Sequence, residues 1–246
     1  MYNKILHEDS EDVDRNSPQQ IVSASNKRVP LSGFEHVLAE QISWPHTGKS
    51  LQCIHDVDDA VQQAKVCVLS PIKRSMQQSS GSTIISKLPP LQQPPSGVLL
   101  HGQPGTGKTM LAQAIDSDAN VPLISMGPSA VESRWFGQSE KLIKASFSLA
   151  AKLAPCIVFI DELDAIAGTR SDDEQSYVNS TKAQPLSELG GVHRRERFYR
   201  VIGATNRTDL VDPALRKRMQ AHVHVPAPSA DGVQKILSEM LRGTHI

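Results

Sequence analysis

A chain of 246 residues has room for one large domain or two ordinary ones, and its 21% of charged residues sum to a formal net charge of zero. That balance argues against a nucleic-acid binder and against a strongly acidic partner. The cysteines, Cys53, Cys67 and Cys156, form no C-x-x-C pair, which favours free thiols in a reducing compartment over disulfides or zinc. The opening MYNKILHEDSEDVDRN lacks a signal-type apolar run, and no window reaches the length of a membrane span, so the chain reads as soluble or tethered by something else.

Residues 1–50 are polar and mixed in charge without a sustained period, and the expectation is a disordered or loosely attached arm. Residues 51–76 read as a helical lead-in, with Val57, Val61, Ala64 and Val68 at helical spacing. The stretch 77–96 is rich in glutamine, serine and proline and reads as a linker. From Gly97 the texture changes. GVLLHG, CIVFIDEL and RVIGATN are apolar runs of strand length, LISMG is a weaker one, and KTMLAQAIDSDA and SEKLIKASFSLAAKLA between them are helix-like. Buried strands alternating with helices predict an α/β domain over residues 97–228, a parallel sheet covered by helices on both faces. HRRERFYR, His193 to Arg200, is basic but carries a glutamate, and reads as a solvated loop.

GQPGTGKT, Gly102 to Thr109, follows a predicted strand and opens a predicted helix, the setting of a Walker A loop. Its glycines let backbone N–H groups turn inward around phosphates, and the helix N-terminus adds a positive dipole end. Candidate nucleotide contacts are Gly102, Gln103, Pro104, Gly105, Thr106, Gly107, Lys108, Thr109 and Met110. Lys108 would reach the β and γ phosphates, and Thr109 would ligate Mg²⁺. A second TGKS at Thr47–Ser50 has Ser43 where the leading glycine belongs and follows no strand, so it is a decoy. CIVFIDE delivers Asp161 and Glu162 at the end of an apolar strand, where parallel sheets bind ligands. Asp161 suits a Mg²⁺ partner, and Glu162, pointing differently, suits the activation of water. Asn206 ends VIGATN and could sense the γ-phosphate and hold that water; otherwise it is a turn residue before Arg207. DPALRKRM offers Arg216, Lys217 and Arg218, a basic triplet that is either solvated or reaches a neighbour's nucleotide. SRWFGQSEK sets Trp135 beside Phe136 in a chain only 4% aromatic. Neighbouring side chains diverge by about 100° on a helix, so one core rarely takes both rings.

In order and spacing, GVLLHGQPGTGKTMLAQA, SRWFGQSEKLIKASFSLAAKLAPCIVFIDELDAI, VIGATNR and DPALRKRM resemble the AAA family of ATPases from about Ile54 onward. FSLAAKLAPCIVFIDELD and KILSEML look most like the group that holds the mitochondrial outer-membrane extractase of tail-anchored proteins and the microtubule severers spastin and katanin. The resemblance implies a P-loop ATPase with Mg²⁺ as cofactor, working as a polypeptide-threading remodeller. It implies Glu162 as base, Asn206 as water-positioning amide, Arg218 as a finger on the next subunit, and Trp135, Phe136 and Gly137 as a pore loop. It further implies ATP and a polypeptide as partners, a homo-hexamer once a lid is supplied, and no nucleic acid. Membrane association would come only through partners or a missing segment. The implied address is the cytoplasm or the cytosolic face of an organelle membrane, the mitochondrial outer membrane among them. The rivals are a pseudo-ATPase acting by interaction alone and a metabolic P-loop kinase; the aspartate–glutamate pair and Asn206 speak against the kinase.

The pattern is broken in four places. Lys217 and Arg218 stand where the family usually has two arginines, and QAH follows Met219 where a further basic residue is usual. A lysine lacks arginine's bidentate fork, so activity in trans is expected to be weakened. Pro185 falls inside an expected helix. The triplet IHD stands where a glycine pair usually meets adenine. Finally, residues 229–246 carry only the first lid helix, with a serine cap and Val233, Ile236, Leu237, Met240 and Leu241 on one face. The expectation is that the rest of the lid is missing, as in a fragment, an incomplete gene model or a degenerate paralogue.

Overall fold

The computed structural model describes residues 20–22, 28–39, 41–45, 50–51, 54–77, 95, 97–127, 139–166 and 199–241. Its centre is a six-stranded sheet built from β3 (Ile42–Ser43), β4 (Gly97–His101), β5 (Leu123–Met126), β6 (Cys156–Ile160), β7 (Tyr199–Thr205) and β8 (Ala221–His224). The spatial order is β3-β5-β6-β7-β4-β8; β3 runs antiparallel to β5 and every other pairing is parallel. The expected α/β sheet is present, with one antiparallel strand added at its edge. A small hairpin of β1 (Gln20–Val22) and β2 (Arg28–Pro30) precedes it.

The apolar runs of β4 and β6 are explained by burial on both faces. Leu99 and Val158 face one core, with α1 (Gly33–Ala39) and α5 (Ser139–Leu153) over them. Their strand neighbours Val98, Leu100, Ile157 and Phe159 face a second core on the opposite side. There they meet α2 (Asp58–Ala64), α3 (Ser70–Gln77) and α4 (Lys108–Ala119). A strand with helices on both sides has no polar face to show, which is why the sequence does not alternate.

The lead-in helix holds Val57, Val61, Ala64 and Val68 in the second core, as their spacing requires. Between α2 and α3 it widens into a π-helical turn, Lys65–Leu69, with the Ser70 N–H bonded to the Lys65 carbonyl. The wide turn falls just ahead of Pro71, which lacks an N–H and whose ring would otherwise meet the carbonyl four residues back.

The polar arm expected over residues 1–50 is corrected for residues 28–39 and 41–45. Leu31, Leu38, Ala39 and Ile42 enter the first core, and β3 extends the sheet. Glu35, 1% exposed, accepts the Ser32 N–H at 2.6 Å as a capping contact for α1 and bonds Lys152 of α5 at 2.7 Å. A buried charge so satisfied pins this segment to the domain.

At the far end of α4, Asp116 is 2% exposed, and its Oδ2 finds no hydrogen-bond partner among the described residues. Burial pushes its carboxyl up to about 7, against opposing hydrogen bonds from the Ser117 backbone and the Ser43 side chain. A carboxyl raised in the folded state holds its proton there while the unfolded chain has lost it. Stability therefore falls as pH rises from about 4 to about 7 and levels off above. Asp116→Asn should remove that slope and raise stability at pH 8 by at most about 4 kcal/mol, read by denaturant unfolding at several pH values. A variant whose stability still declines over that window would show that another group titrates.

Candidate functional site

Three adjacent strands, β6, β7 and β4, end on the same edge of the sheet. Their C-terminal ends bring Asp161 and Glu162, Asn206, and the Gly102–Thr109 loop side by side, with Asn206 between the other two. The loop's shape comes from its glycines. Gly105 and Gly107 have φ of 79° and 87°, the left-handed region that side chains resist, and Gly107 caps α4. At Gly102 the backbone passes so close to β8 that a Cβ would sit 2.1 Å from the Val225 carbonyl oxygen. The Val225 N–H in turn donates to the His101 carbonyl at 2.8 Å, fixing the start of the loop. Gln103, Pro104, Gly105, Thr109 and Met110 are exposed, and Gly102, Thr106 and Gly107 are half-buried.

Lys108 is 7% exposed, and its ammonium donates to the carbonyls of Gly102 (3.0 Å) and Gln103 (2.7 Å). Burial draws its pKa below the ordinary lysine value, while the charges of Asp161 and Asp164 work the other way. A desolvated ammonium held by two backbone carbonyls is a compact point charge suited to an anion. The Thr109 hydroxyl donates to Asp161 Oδ2 at 2.8 Å, so the two oxygens proposed for Mg²⁺ stand in contact. Among the described residues no three His, Cys, Asp or Glu side chains could hold a metal by themselves. That donor set suits Mg²⁺, which takes one or two protein oxygens and completes its shell with phosphate and water.

Glu162 is exposed and has φ of 47°, a left-handed conformation uncommon for a residue with a side chain. Its N–H donates to Asp161 Oδ1 at 2.9 Å, and its carbonyl accepts from Ala165 and Ile166 to begin α6 (Leu163–Ile166). Asn206 is exposed at the end of β7. Asp212 caps α7 (Pro213–Arg218), accepting from the Ala214 and Leu215 N–H groups, with Pro213 at the first helical position. On this helix Arg216 bonds the Thr208 carbonyl at 3.4 Å, Lys217 is exposed and Arg218 half-buried, while Met219 is fully buried. The candidate pore loop, Trp135, Phe136 and Gly137, and Pro185 lie outside the described residues.

Two features had no signal in the sequence. The rings of His222 and His224 on β8 lie 6.5 and 5.2 Å from that of His101, just before the loop. Burial first, then the two neighbouring histidines and Lys108, lowers the His101 pKa below its ordinary value. The second is the role of the IHD triplet. His55 Nε2 and Glu239 Oε2 lie 2.7 Å apart, and Asp56 accepts the Ser229 N–H. Both contacts tie the triplet to α8 (Ala230–Leu241), whose Val233, Leu237, Met240 and Leu241 are exposed. Ser229 also caps this helix, its hydroxyl accepting the Gly232 N–H at 3.2 Å.

A Gly-rich loop between a strand and a helix, with two acids at the end of β6 on the same sheet edge, defines a P-loop NTPase fold. The model of the ATPase family associated with various cellular activities (AAA) matches residues 98–227, and the chain belongs to that family. It is 37% identical over 223 residues to the outer mitochondrial transmembrane helix translocase of Xenopus tropicalis, covering 89% of this chain and 59% of the relative. The Homo sapiens translocase is 34% identical over 222 residues, with the same two coverages. Fidgetin-like protein 1 of Caenorhabditis briggsae is 40% identical over 157 residues, 63% of this chain and 26% of that one. The chain thus spans about three fifths of the length of the translocases it matches. These relatives bear out both the family and the group that the motifs resembled. Among the described residues no helix is long and apolar enough to cross a membrane.

Proposed function

We propose that this chain binds Mg²⁺–ATP and hydrolyses it, as the motor part of a protein remodeller. The observation that carries this is the Thr109–Asp161 contact at 2.8 Å beside a buried Lys108, three roles of one phosphate site brought together from two strand ends. Lys108 leaves its loop carbonyls to meet the β and γ phosphates, and the loop N–H groups take the remaining oxygens. Thr109 and Asp161 hold Mg²⁺, which when bound neutralises charge developing on the phosphates. Glu162 takes the proton from the attacking water, and Asn206 orients that water from the middle strand.

Arg218 acts on the next subunit, with the exposed Lys217 a weaker partner than an arginine. Trp135 and Phe136 grip polypeptide. Relatives named as mitochondrial translocases support a membrane-protein substrate at the cytosolic face of the outer mitochondrial membrane. The test is steady-state ATPase activity against protein concentration. Specific activity should rise with concentration, Arg218→Ala should cancel the rise, and Lys217→Arg should steepen it. Activity that is independent of concentration, and lost equally in a monomer carrying Arg218→Ala, would remove the trans role.

A further inference from the structure

We propose that Asp164 is a positioning residue for Asn206, acting through the Thr205 hydroxyl, so that the helix following the Asp161–Glu162 pair sets the angle of the water-holding amide. This rests on the functional reading above and adds a residue to it. Thr205 is the last residue of β7 and is 1% exposed. Its hydroxyl donates to Asp164 Oδ1 at 2.6 Å and accepts the Arg207 N–H at 3.0 Å. The contact to Arg207 alone would be an ordinary hydroxyl turn. The contact to Asp164 crosses from another element, 41 residues away in sequence.

Together the two bonds hold the backbone on both sides of Asn206, whose own side chain is exposed. Asp164 sits on α6, whose first turn is bonded to the Glu162 carbonyl. Base and water-positioning amide therefore hang from one short helix. A shift of one is transmitted to the other through a single buried hydroxyl, and displacements on the order of 1 Å at a reacting centre cost about 10²-fold in rate.

The experiment uses the full chain as wild type, Asp164→Ala, Asp164→Asn, Thr205→Val, Asn206→Ala and the Asp164→Ala/Asn206→Ala double variant. It reads kcat and KM for ATP, and separately the ratio of ATP to ADP affinity by calorimetry with Mg²⁺, which needs no hydrolysis. Asp164→Ala and Thr205→Val should lower kcat roughly 10-fold, within what a misplaced catalytic group costs, and leave KM nearly unchanged. They should erode ATP-over-ADP preference as far as Asn206→Ala does, and the double variant should be no worse than Asn206→Ala alone. Asp164→Asn keeps an acceptor oxygen and should stay close to wild type, in melting temperature too. If Asp164→Ala does not fold, Thr205→Val against Asn206→Ala gives the same comparison. Losses that multiply in the double variant, or an Asn206→Ala without effect, overturn the inference. A wild type that binds neither nucleotide overturns the functional reading and this inference with it. One that binds both while Asp164→Ala and Thr205→Val keep its preference for ATP overturns the inference alone.

Discussion

Glu162→Gln should leave ATP binding intact and slow hydrolysis by roughly 10²- to 10⁴-fold, the range that loss of a general base produces. The amide keeps the shape of the carboxylate and loses only its ability to take a proton. The backbone at this residue supports the proposed role. A left-handed φ of 47° on a residue with a Cβ costs about 1–2 kcal/mol, and such strain gathers where a side chain must be aimed. Here it is held by the Asp161 carboxylate on the Glu162 N–H and by the Ala165 and Ile166 N–H groups on its carbonyl. These bonds use main-chain atoms, so Glu162→Gln leaves them in place. Lys108→Ala makes the contrast, since it removes the buried cation and should lose ATP binding itself. Calorimetric affinities and single-turnover rates for both variants separate the roles. Equal affinities in the two, or a Glu162→Gln that turns over at the wild-type rate, would reverse the assignment.

The parts of this molecule legible in its sequence are those whose chemistry is local. β4, β6 and the Val201–Ala204 stretch of β7 announce themselves because strand segments buried on both faces must be apolar. The phosphate loop is legible because Gly105, Gly107, Lys108 and Thr109 must follow one another at fixed spacing. β8 escaped notice because His222 and His224 alternate with Ala221 and Val223, and four such residues look like loop until β4 pairs with them. β3 and α1 were hidden by sparse apolar residues and by Glu35, a charge on the inward face that a polarity reading assigns to solvent. The Asp164–Thr205 contact joins residues with no periodic relation. Only the sheet order, which sets β6 beside β7, brings them together.

That inward-facing charge carries the largest expected effect on stability. Lys152→Met should destabilise the fold by about 3–5 kcal/mol at pH 7, the usual consequence of stripping the partner from a buried ion. Glu35 is 1% exposed, while Lys152 is a third exposed, so the methionine's stem can lie where the lysine's did and the deficit falls on the stranded carboxylate. Burial alone would raise the Glu35 pKa; hydrogen bonds from Lys152, Ser32 and Ser148 outweigh it and hold the carboxyl below its ordinary value. For a lowered carboxyl, the stabilisation is complete above the unfolded-state pKa and lost as pH falls through the folded one. In Lys152→Met the balance tips back toward burial, so Glu35 takes up a proton more readily in the folded state. The gap between variant and wild type should then narrow as the pH is lowered toward about 4, where the unfolded chain's carboxyls also protonate. Adding Glu35→Gln to Lys152→Met should recover much of the loss, because an amide needs no counter-charge and keeps an oxygen for the Ser32 N–H. Chemical denaturation of the wild type, Lys152→Met, Glu35→Gln and the double variant, at pH 7 and at pH 4.5, reads all of this. Strictly additive losses in the double variant would mean that the pair is not coupled, and that the β3–β5 pairing and apolar packing of Leu31, Leu38, Ala39 and Ile42 hold this segment to the sheet.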